Sequence, residues 1–557
     1  MFAFLLPFAL LSYLFFPFLT LIHRQRRSPL ANLNGPPSRS WFLGNLVEMH
    51  DQENSFLIES WHDLYGSVFT YRGFVGGCRL MTTDPLAVAH ILGNAYSYPK
   101  PDFVRDSLAT MAAGHDGLLT SEGDQHRKQR KILTPAFTHS HIKSLTPIFW
   151  EKAEKLRDIW LDKGSLPLAR VDALSWLGRA TLDVIGLAGF GYHFNSLSQS
   201  SDELADAFSI IFSTARKFRV MTILQVWFPF FRRFRRNSKT MLQAQATMHR
   251  IGTGLIERAT AEASEKPVSK DLLSVLVRSN SATATQQMST KEILCQISTF
   301  IAAGHETTAS ALTWCLYALS KSPQSQSTLR SALRDIPTSG TQEELTDEIL
   351  KCEYLDWVVR ETLRVHAPVT NTMRVCMKDG GDEIPVTSMS ENGSQAGYTD
   401  KYGTRRSSIR VNKWDIISIP ISAINRSSEV WGPDARAFRP ERWASPPAKA
   451  NAIPGLYSNV LTFLNGNPID GNRACIGYKF ALIEIKIFLY VLVRDIEYSM
   501  DPSMVIEKKV NVVTRPFVKS EPHLGNQMPL YIRPAPFSEY DSSPQGPCPS
   551  KVQTSCR

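Results

Sequence analysis

One cysteine near the C-terminus constrains this chain more than any other residue. Cys475 stands in the run Gly471-Asn472-Arg473-Ala474-Cys475-Ile476-Gly477, and Tyr478-Lys479-Phe480-Ala481-Leu482-Ile483-Glu484-Ile485-Lys486 continues directly with helical apolar spacing. The glycines let backbone approach a flat cofactor closely. The arginine offers a fork for an acidic group, and the cysteine is the soft ligand of the loop. A place just ahead of a helix N-terminus stabilises a thiolate, because N–H groups there favour negative charge. Taken alone, a cysteine among small residues is more often a buried hydrophobe than a ligand. The helix behind it makes a thiolate beneath a haem the better reading.

Three further segments carry the same theme. Ala303-Gly304-His305-Glu306-Thr307-Thr308 lies in an apolar stretch, Lys291 to Ser320, that reads as one long helix interrupted at Ala302-Ala303-Gly304. Glu361-Thr362-Leu363-Arg364 sets a carboxylate and a guanidinium three apart, on one helical face. Phe438-Arg439-Pro440-Glu441-Arg442-Trp443 follows. With the cysteine run, these segments resemble, in order and spacing, the oxygen-activating helix, the ExxR helix, the meander and the cysteine loop of the cytochrome P450 haem-thiolate monooxygenases. The resemblance spans roughly residues 35 to 535. It implies a mainly α fold with small β-sheets, haem b held by Cys475 as axial ligand to the iron, and a catalytic domain over residues 38–533.

The cysteine loop departs from the family pattern, Phe-x-x-Gly-x-Arg-x-Cys-x-Gly, because Pro468 occupies the phenylalanine position. Phe463 is the displaced phenylalanine, and the five residues Pro468-Ile469-Asp470-Gly471-Asn472 intervene before Arg473; deleting them restores the pattern. The insertion is either a genuine lengthening of the haem-facing loop, where neighbouring groups tune the metal, or a product of a misplaced splice boundary.

Length permits several domains, but no linker or repeat divides the 557 residues, and 43% hydrophobic content supports one large core. The eight cysteines lack zinc or disulfide spacing, so Cys78, Cys295, Cys315, Cys352 and Cys376 read as reduced structural thiols. Met1 to Ile22 contains no charged side chain and is followed by His23-Arg24-Gln25-Arg26-Arg27. That length spans a bilayer core, and charge after the apolar run argues for a signal-anchor with a cytoplasmic catalytic body, not a cleaved leader. Residues 23–37 form a basic, proline-rich hinge ending in Gly35-Pro36-Pro37, as in microsomal family members, and the implied address is the endoplasmic reticulum membrane. In that orientation the sequons at Asn392 and Asn425 stay unglycosylated. The net charge of +10 has no nucleic-acid reading motif behind it and is better explained by membrane and an acidic redox partner. Aromatic and basic residues interleave from Trp227 to Arg236, as at a surface dipping into headgroups, although a solvated basic face has the same pattern. Residues 534–557 are rich in Ser and Pro and read as a disordered tail.

The resemblance assigns roles to particular side chains. Thr307 and Glu306 match the threonine and acidic residue that support oxygen activation and proton delivery; considered alone, Thr307 would simply back-bond in its helix and Glu306 would be paired. His305 reads as a packing residue. Glu361, Arg364 and Arg442 match a buried network that holds the haem-binding core together. His126 and Arg130, one turn apart, with Arg374 and Arg473, are the cations for the haem propionates; His126 stands where family members carry tryptophan. Arg127, Lys128 and Lys131 would face outward and could dock a reductase.

The segments Phe103 to Leu119, Ile210 to Leu224, Val369 to Met373 and Val512 to Phe517 would shape an apolar substrate site. The expected activity is insertion of one oxygen atom from O2 into a hydrophobic small molecule. Electrons would come from NADPH through NADPH-cytochrome P450 reductase, with cytochrome b5 as a possible second donor, and the setting would be fungal secondary metabolism or xenobiotic oxidation. Two alternatives stay open: a haem-thiolate isomerase or dehydratase, and a haem-deficient membrane protein whose cysteine loop is disrupted by the insertion.

Overall fold

The computed structural model describes residues 16–536 except 17–18, 21, 50–54, 113, 164–168, 199–201, 216–238, 263–269, 283–286, 388–396, 468–470 and 511. Most of the expected anchor, the segment Trp227 to Arg236, the Asn392 sequon, Pro468 to Asp470 and residues 537–557 therefore lie outside the described residues. Among the described residues, no helix is long and apolar enough to cross a membrane.

Five helices build the site: α1 (Gly123–Leu133), α2 (Ala173–Phe190), α3 (Thr290–Lys321), α4 (Glu353–Val365) and α5 (Tyr478–Asp495). α3 starts at a capping box in which Ser289 Oγ accepts the Glu292 N–H while Glu292 Oε2 accepts the Ser289 N–H. It is buried on nearly every face, from Ile297 and Phe300 to Trp314, Leu316 and Leu319, as befits the central helix of a large domain. α2 opens on Asp172, whose carboxylate accepts the Leu174 N–H at 3.1 Å, and closes on Gly191 with φ 57°.

The expected interruption of the central helix is absent: α3 runs unbroken through Ala302-Ala303-Gly304. The glycine serves packing between helices. A Cβ at Gly304 would come within 3.1 Å of the Ile185 side chain on α2, and nearby Thr181 Oγ1 donates to the His305 carbonyl at 3.1 Å. α2 can cross this closely only because Gly304 has no side chain.

The largest sheet among the described residues has four strands. Its order is Val68–Arg72, Cys78–Thr82, Ile416–Ile419, Thr372–Val375, with only the middle pair parallel. The remaining sheets are small, among them the hairpin of Ile506–Val510 and Thr514–Val518. The last described strand, Pro529–Pro534, includes the first residue of the expected tail, and the Ala535 N–H still donates to the Asp495 carbonyl at 2.9 Å.

Beneath this frame lies a fully buried ion cluster. Arg364 donates from Nε to Glu361 Oε2 at 2.8 Å and from Nη2 to Oε1 at 2.7 Å, and Arg442 Nε reaches Oε1 at 3.4 Å. The Trp443 indole N–H and the Arg439 backbone N–H add two donors, each at 3.0 Å. Removing one member of such a cluster strands the others without compensation. Glu361→Gln is therefore expected to destabilise the protein by about 3–5 kcal/mol, read as a lower denaturant midpoint and little recovered holoprotein. An unchanged midpoint would contradict a structural role for the cluster.

Candidate active site

α1, α3, the segment Pro368–Arg374, the hairpin that carries Arg515 and the cysteine loop enclose a cavity of about 1290 Å³. That exceeds the roughly 300–1,000 Å³ of an ordinary small-molecule pocket, leaving room for a prosthetic group and a substrate together. Cys475 is the one exposed cysteine among those described, and the surface it exposes is cavity wall. Burial pushes its thiol upward, while the Gly477 N–H and the Arg130 charge pull it back down.

The loop accommodates its insertion without moving the cysteine out of the site. Cys475 N–H donates to the Phe463 carbonyl at 2.9 Å, and Phe463 itself lines the cavity. Gly466 lies so close to the returning chain that a Cβ would fall 2.4 Å from the Arg473 nitrogen. The same Cβ would fall 2.9 Å from the Cα of the inserted Asn472, whose Oδ1 accepts the Ala474 N–H at 2.9 Å. Gly471, with φ 99°, packs toward Ala95 and Tyr96.

The cations expected around the cofactor converge on the same wall. His126, Arg130, Arg374 and Arg473 all line the cavity. Arg130 Nη1 donates to the Ala474 carbonyl at 2.7 Å, next to the cysteine; Arg374 is buried, and its Nη1 donates to Thr372 Oγ1 and the Met373 carbonyl, both at 2.7 Å. Arg473 pairs with Glu122. Burial, with Arg473, Lys100 and Arg130, drives the His126 imidazole down to about 2, so it is neutral and keeps one N–H to donate.

Lys100 and Glu122 escaped the reading of the sequence. Lys100 Nζ sits 2.8 Å from Glu122 Oε1, and Lys100, Arg374 and Arg473 crowd around that carboxylate. The signal was slight: a lysine between two prolines in Pro99-Lys100-Pro101. Of the three cations expected to face outward, Arg127 and Lys131 are exposed, but Lys128 donates to the Gln287 carbonyl at 3.0 Å and pairs with Glu292. It is committed within the chain, because α1 packs beside the start of α3.

On the α3 side, Thr307 lines the cavity and its Oγ1 donates to the Ala303 carbonyl at 2.6 Å, which leaves the oxygen free to accept. His305 Nδ1 bonds the Ile301 carbonyl at 2.6 Å, consistent with a packing role. Glu306 pairs with Arg515, from the hairpin more than two hundred residues away. Both border a second, polar cavity of about 500 Å³ lined by Ser175, Asp206, Ser209 and Asn526, so Glu306 stands between the main cavity and a polar one. Phe103, Val104, Leu108, Leu119, Val369, Met373 and Val512 supply apolar wall; Phe517, at the end of an expected wall segment, is not part of it. Asn425 is fully buried, with its side chain bonded to Thr462 Oγ1 and the Leu461 N–H, which excludes glycosylation in the folded state.

Residues 34–381 and 408–521 match the family model for cytochrome P450. The chain belongs to the cytochrome P450 family. It is 42% identical to cytochrome P450 monooxygenase 205 of Postia placenta over 91% of this chain and 93% of that protein. It is 38% identical to monooxygenase 128 of the same fungus over the same shares. Cytochrome P450 monooxygenase claW of Ampulloclitocybe clavipes is 34% identical over 93% of this chain and 96% of its own length. This P450 is thus a monooxygenase of a group with fungal relatives.

The residues fit the family's haem. Buried like charges beside a single carboxylate are costly unless an anion joins them, and two propionates are such an anion. Cys475 presents the only described thiol on the cavity wall, which Ala303 and Thr307 also line. Arg130, Arg374, Arg473, Lys100 and the His126 N–H would hold the propionates, and Cys475 the iron.

Burial, with Arg473 and Arg374, lowers Lys100 to about 8 despite Glu122. Since the unfolded value is about 10.4, stability of the haem-free protein rises with pH between those two values. A propionate beside Lys100 favours the charged amine, so haem affinity is expected to fall as pH climbs past about 8. Titrating haem-free protein with haem at pH values either side should reveal that slope, and Lys100→Met should bind more weakly at neutral pH and lose it. An unchanged slope in the variant would remove Lys100 from the propionate site.

Proposed function

We propose that this P450 is an endoplasmic-reticulum enzyme, anchored by Met1 to Ile22, that hydroxylates or epoxidises an apolar molecule in secondary metabolism or xenobiotic oxidation. NADPH supplies electrons through a flavoprotein reductase. The observation that carries this reading is that the Cys475 thiol lines one largely apolar cavity together with Ala303, Glu306 and Thr307 of α3.

Each side of the cavity has a separable task. Cys475 would hold the iron, and haem, when bound, would supply oxygen activation favoured by thiolate donation. Apolar groups such as Phe103, Leu119 and Val369 bind substrate and exclude water. Thr307 presents a hydroxyl oxygen that can receive and pass a proton. Glu306 borders the polar cavity from which protons are drawn, and Arg515 holds its carboxylate. Exposed Arg127 and Lys131 on α1 offer positive charge to an acidic reductase surface. An intact pair of Glu306 and Thr307 favours oxygen chemistry over isomerisation or dehydration, which have no need of it.

The carbon monoxide difference spectrum of the reduced protein tests the core of the proposal. A strongly red-shifted Soret band is expected from the chain with its insertion intact, and Cys475→Ala should abolish that band; its persistence would refute the ligand assignment. Absence of the band from the parent chain, with recovery on deleting Pro468 to Asn472, would mean that the insertion disables haem binding.

Thr307→Ala is expected to keep the spectrum while diverting a several-fold larger share of NADPH oxidation into hydrogen peroxide. Unchanged coupling, measured as product formed per NADPH consumed, would exclude Thr307 from proton delivery.

A further inference from the structure

The strand Cys78–Thr82 is buried along its whole length, and such strands are ordinarily apolar throughout. Arg79 interrupts this one. Its backbone is fixed in the middle of the four-stranded sheet, opposite Tyr71 on one side and Ile416 on the other. The side chain is 7% exposed and lines the main cavity. Arginine keeps its charge inside a protein and is almost never buried without a partner. Among the described residues, no carboxylate pairs with this guanidinium and no carbonyl or hydroxyl accepts from it.

The other lysines and arginines of the cavity wall are committed. Lys100 and Arg473 pair with Glu122, Arg130 bonds the Ala474 carbonyl, Arg374 bonds Thr372 and the Met373 carbonyl, and Arg515 pairs with Glu306. What Arg79 has is an aromatic ring and a turn of backbone. Its Cζ lies 5.6 Å from the centroid of Phe103, and a Cβ on Gly73 would fall 2.4 Å from its Nε. The ring offsets part of the cost of burying the charge but offers the N–H donors no acceptor in their own plane. The surrounding wall is apolar. Leu46, Met49 and Ile58 line the cavity and belong to the cluster that packs on Tyr71 and Met81, across from Arg79 and two residues along its strand.

A buried cation held on a rigid strand, with its donors unused, is pre-organised for an anion that arrives with the ligand. One planar fork matches one carboxylate, which accepts two parallel N–H bonds. A phosphate dianion calls for a second cation, and the others on the wall are taken. A hydroxyl or ketone would leave the charge uncompensated. We propose that Arg79 is a specificity-determining residue that receives the carboxylate of the substrate, and that the substrate is an apolar monocarboxylic acid. Its hydrocarbon body lies against the apolar wall, and the carbon to be oxidised reaches the Cys475 side of the same cavity. The proposal rests on the monooxygenase reading above and narrows its substrate from apolar molecules at large to apolar acids.

The test uses the full-length holoenzyme in detergent and four probes: palmitic acid, abietic acid and the methyl ester of each. Binding is measured by calorimetry and by the shift of the ferric Soret band. In at least one pair the acid is expected to bind the parent about tenfold or more tightly than its ester, as for a hydrogen bond between charged groups. Arg79→Met should equalise acid and ester, and Arg79→Lys should restore part of the preference, because an ammonium keeps the charge but not the fork. Haem content should be the same in parent and variants. Equal binding of acid and ester by the parent, a preference that survives Arg79→Met, or failure of both acids to bind overturns the proposal. Loss of haem from an Arg79→Met protein with an unchanged circular dichroism spectrum assigns the guanidinium to a propionate and also overturns it. Should Arg79→Met fail to fold, the parent's acid-to-ester ratio and its reduction in Arg79→Lys still decide. The carbon monoxide spectrum keeps the two readings apart. Acid preference by calorimetry without the red-shifted band overturns the monooxygenase reading and retains the acid site; a normal band without acid preference does the reverse.

Discussion

The Glu361 carboxylate is the interaction on which the haem side of the molecule depends. It is fully buried and receives donors from Arg364, Arg442, the Trp443 indole and the Arg439 backbone. Arg364 in turn reaches the carbonyls of Asn425, Ala435 and Ala437. From there a chain of short contacts leads to the cysteine. The Asn425 side chain bonds Leu461 N–H and Thr462 Oγ1, the Thr462 hydroxyl donates to the Leu363 carbonyl, and the next residue, Phe463, accepts the Cys475 N–H. A single buried carboxylate thereby ties α4, the meander and the cysteine loop into one body, and its low-dielectric surroundings make each bond in it strong and each loss severe.

Cys475 lines the cavity although five residues are added to its loop. The position of Cys475 is set by Phe463 on one side and by α5 on the other, neither of which lies within the insertion. Gly466 lies against both Asn472 and Arg473, and the inserted Asn472 accepts the Ala474 N–H at 2.9 Å through Oδ1, so one added residue takes part in holding the chain beside the thiol. The cation cluster at the opposite edge works by a different principle. Lys100, Arg374 and Arg473 are brought together around Glu122 at an electrostatic cost that a dianionic cofactor would offset.

Much of the fold and of the candidate site was legible in the sequence, because the informative residues sit at fixed local spacings. Glu361 and Arg364 share a helical face at three residues apart, His126 and Arg130 at four, and Cys475 precedes a helix within its own segment. Groups whose partners are remote were not legible. Arg515 meets Glu306 only because the C-terminal hairpin folds back over α3, and Lys100 meets Arg374 only across the wall of the cavity. The small residues Ala302-Ala303-Gly304 suggested a break in the helix. The structure instead keeps the helix and uses Gly304 to admit Ile185 of α2, a neighbour that local spacing does not reveal.

The sequence by itself determined the family, the candidate ligand Cys475, the motif-bearing helices and the five residues that depart from the pattern, since each is encoded by residue type and spacing over a few turns. Only the tertiary structure decided which cations face the cavity, which carboxylate they share and how Glu306 is held. Those outcomes depend on charges and backbone groups hundreds of positions apart becoming neighbours in a low-dielectric interior or at its edge. Local propensity carries no information about such meetings.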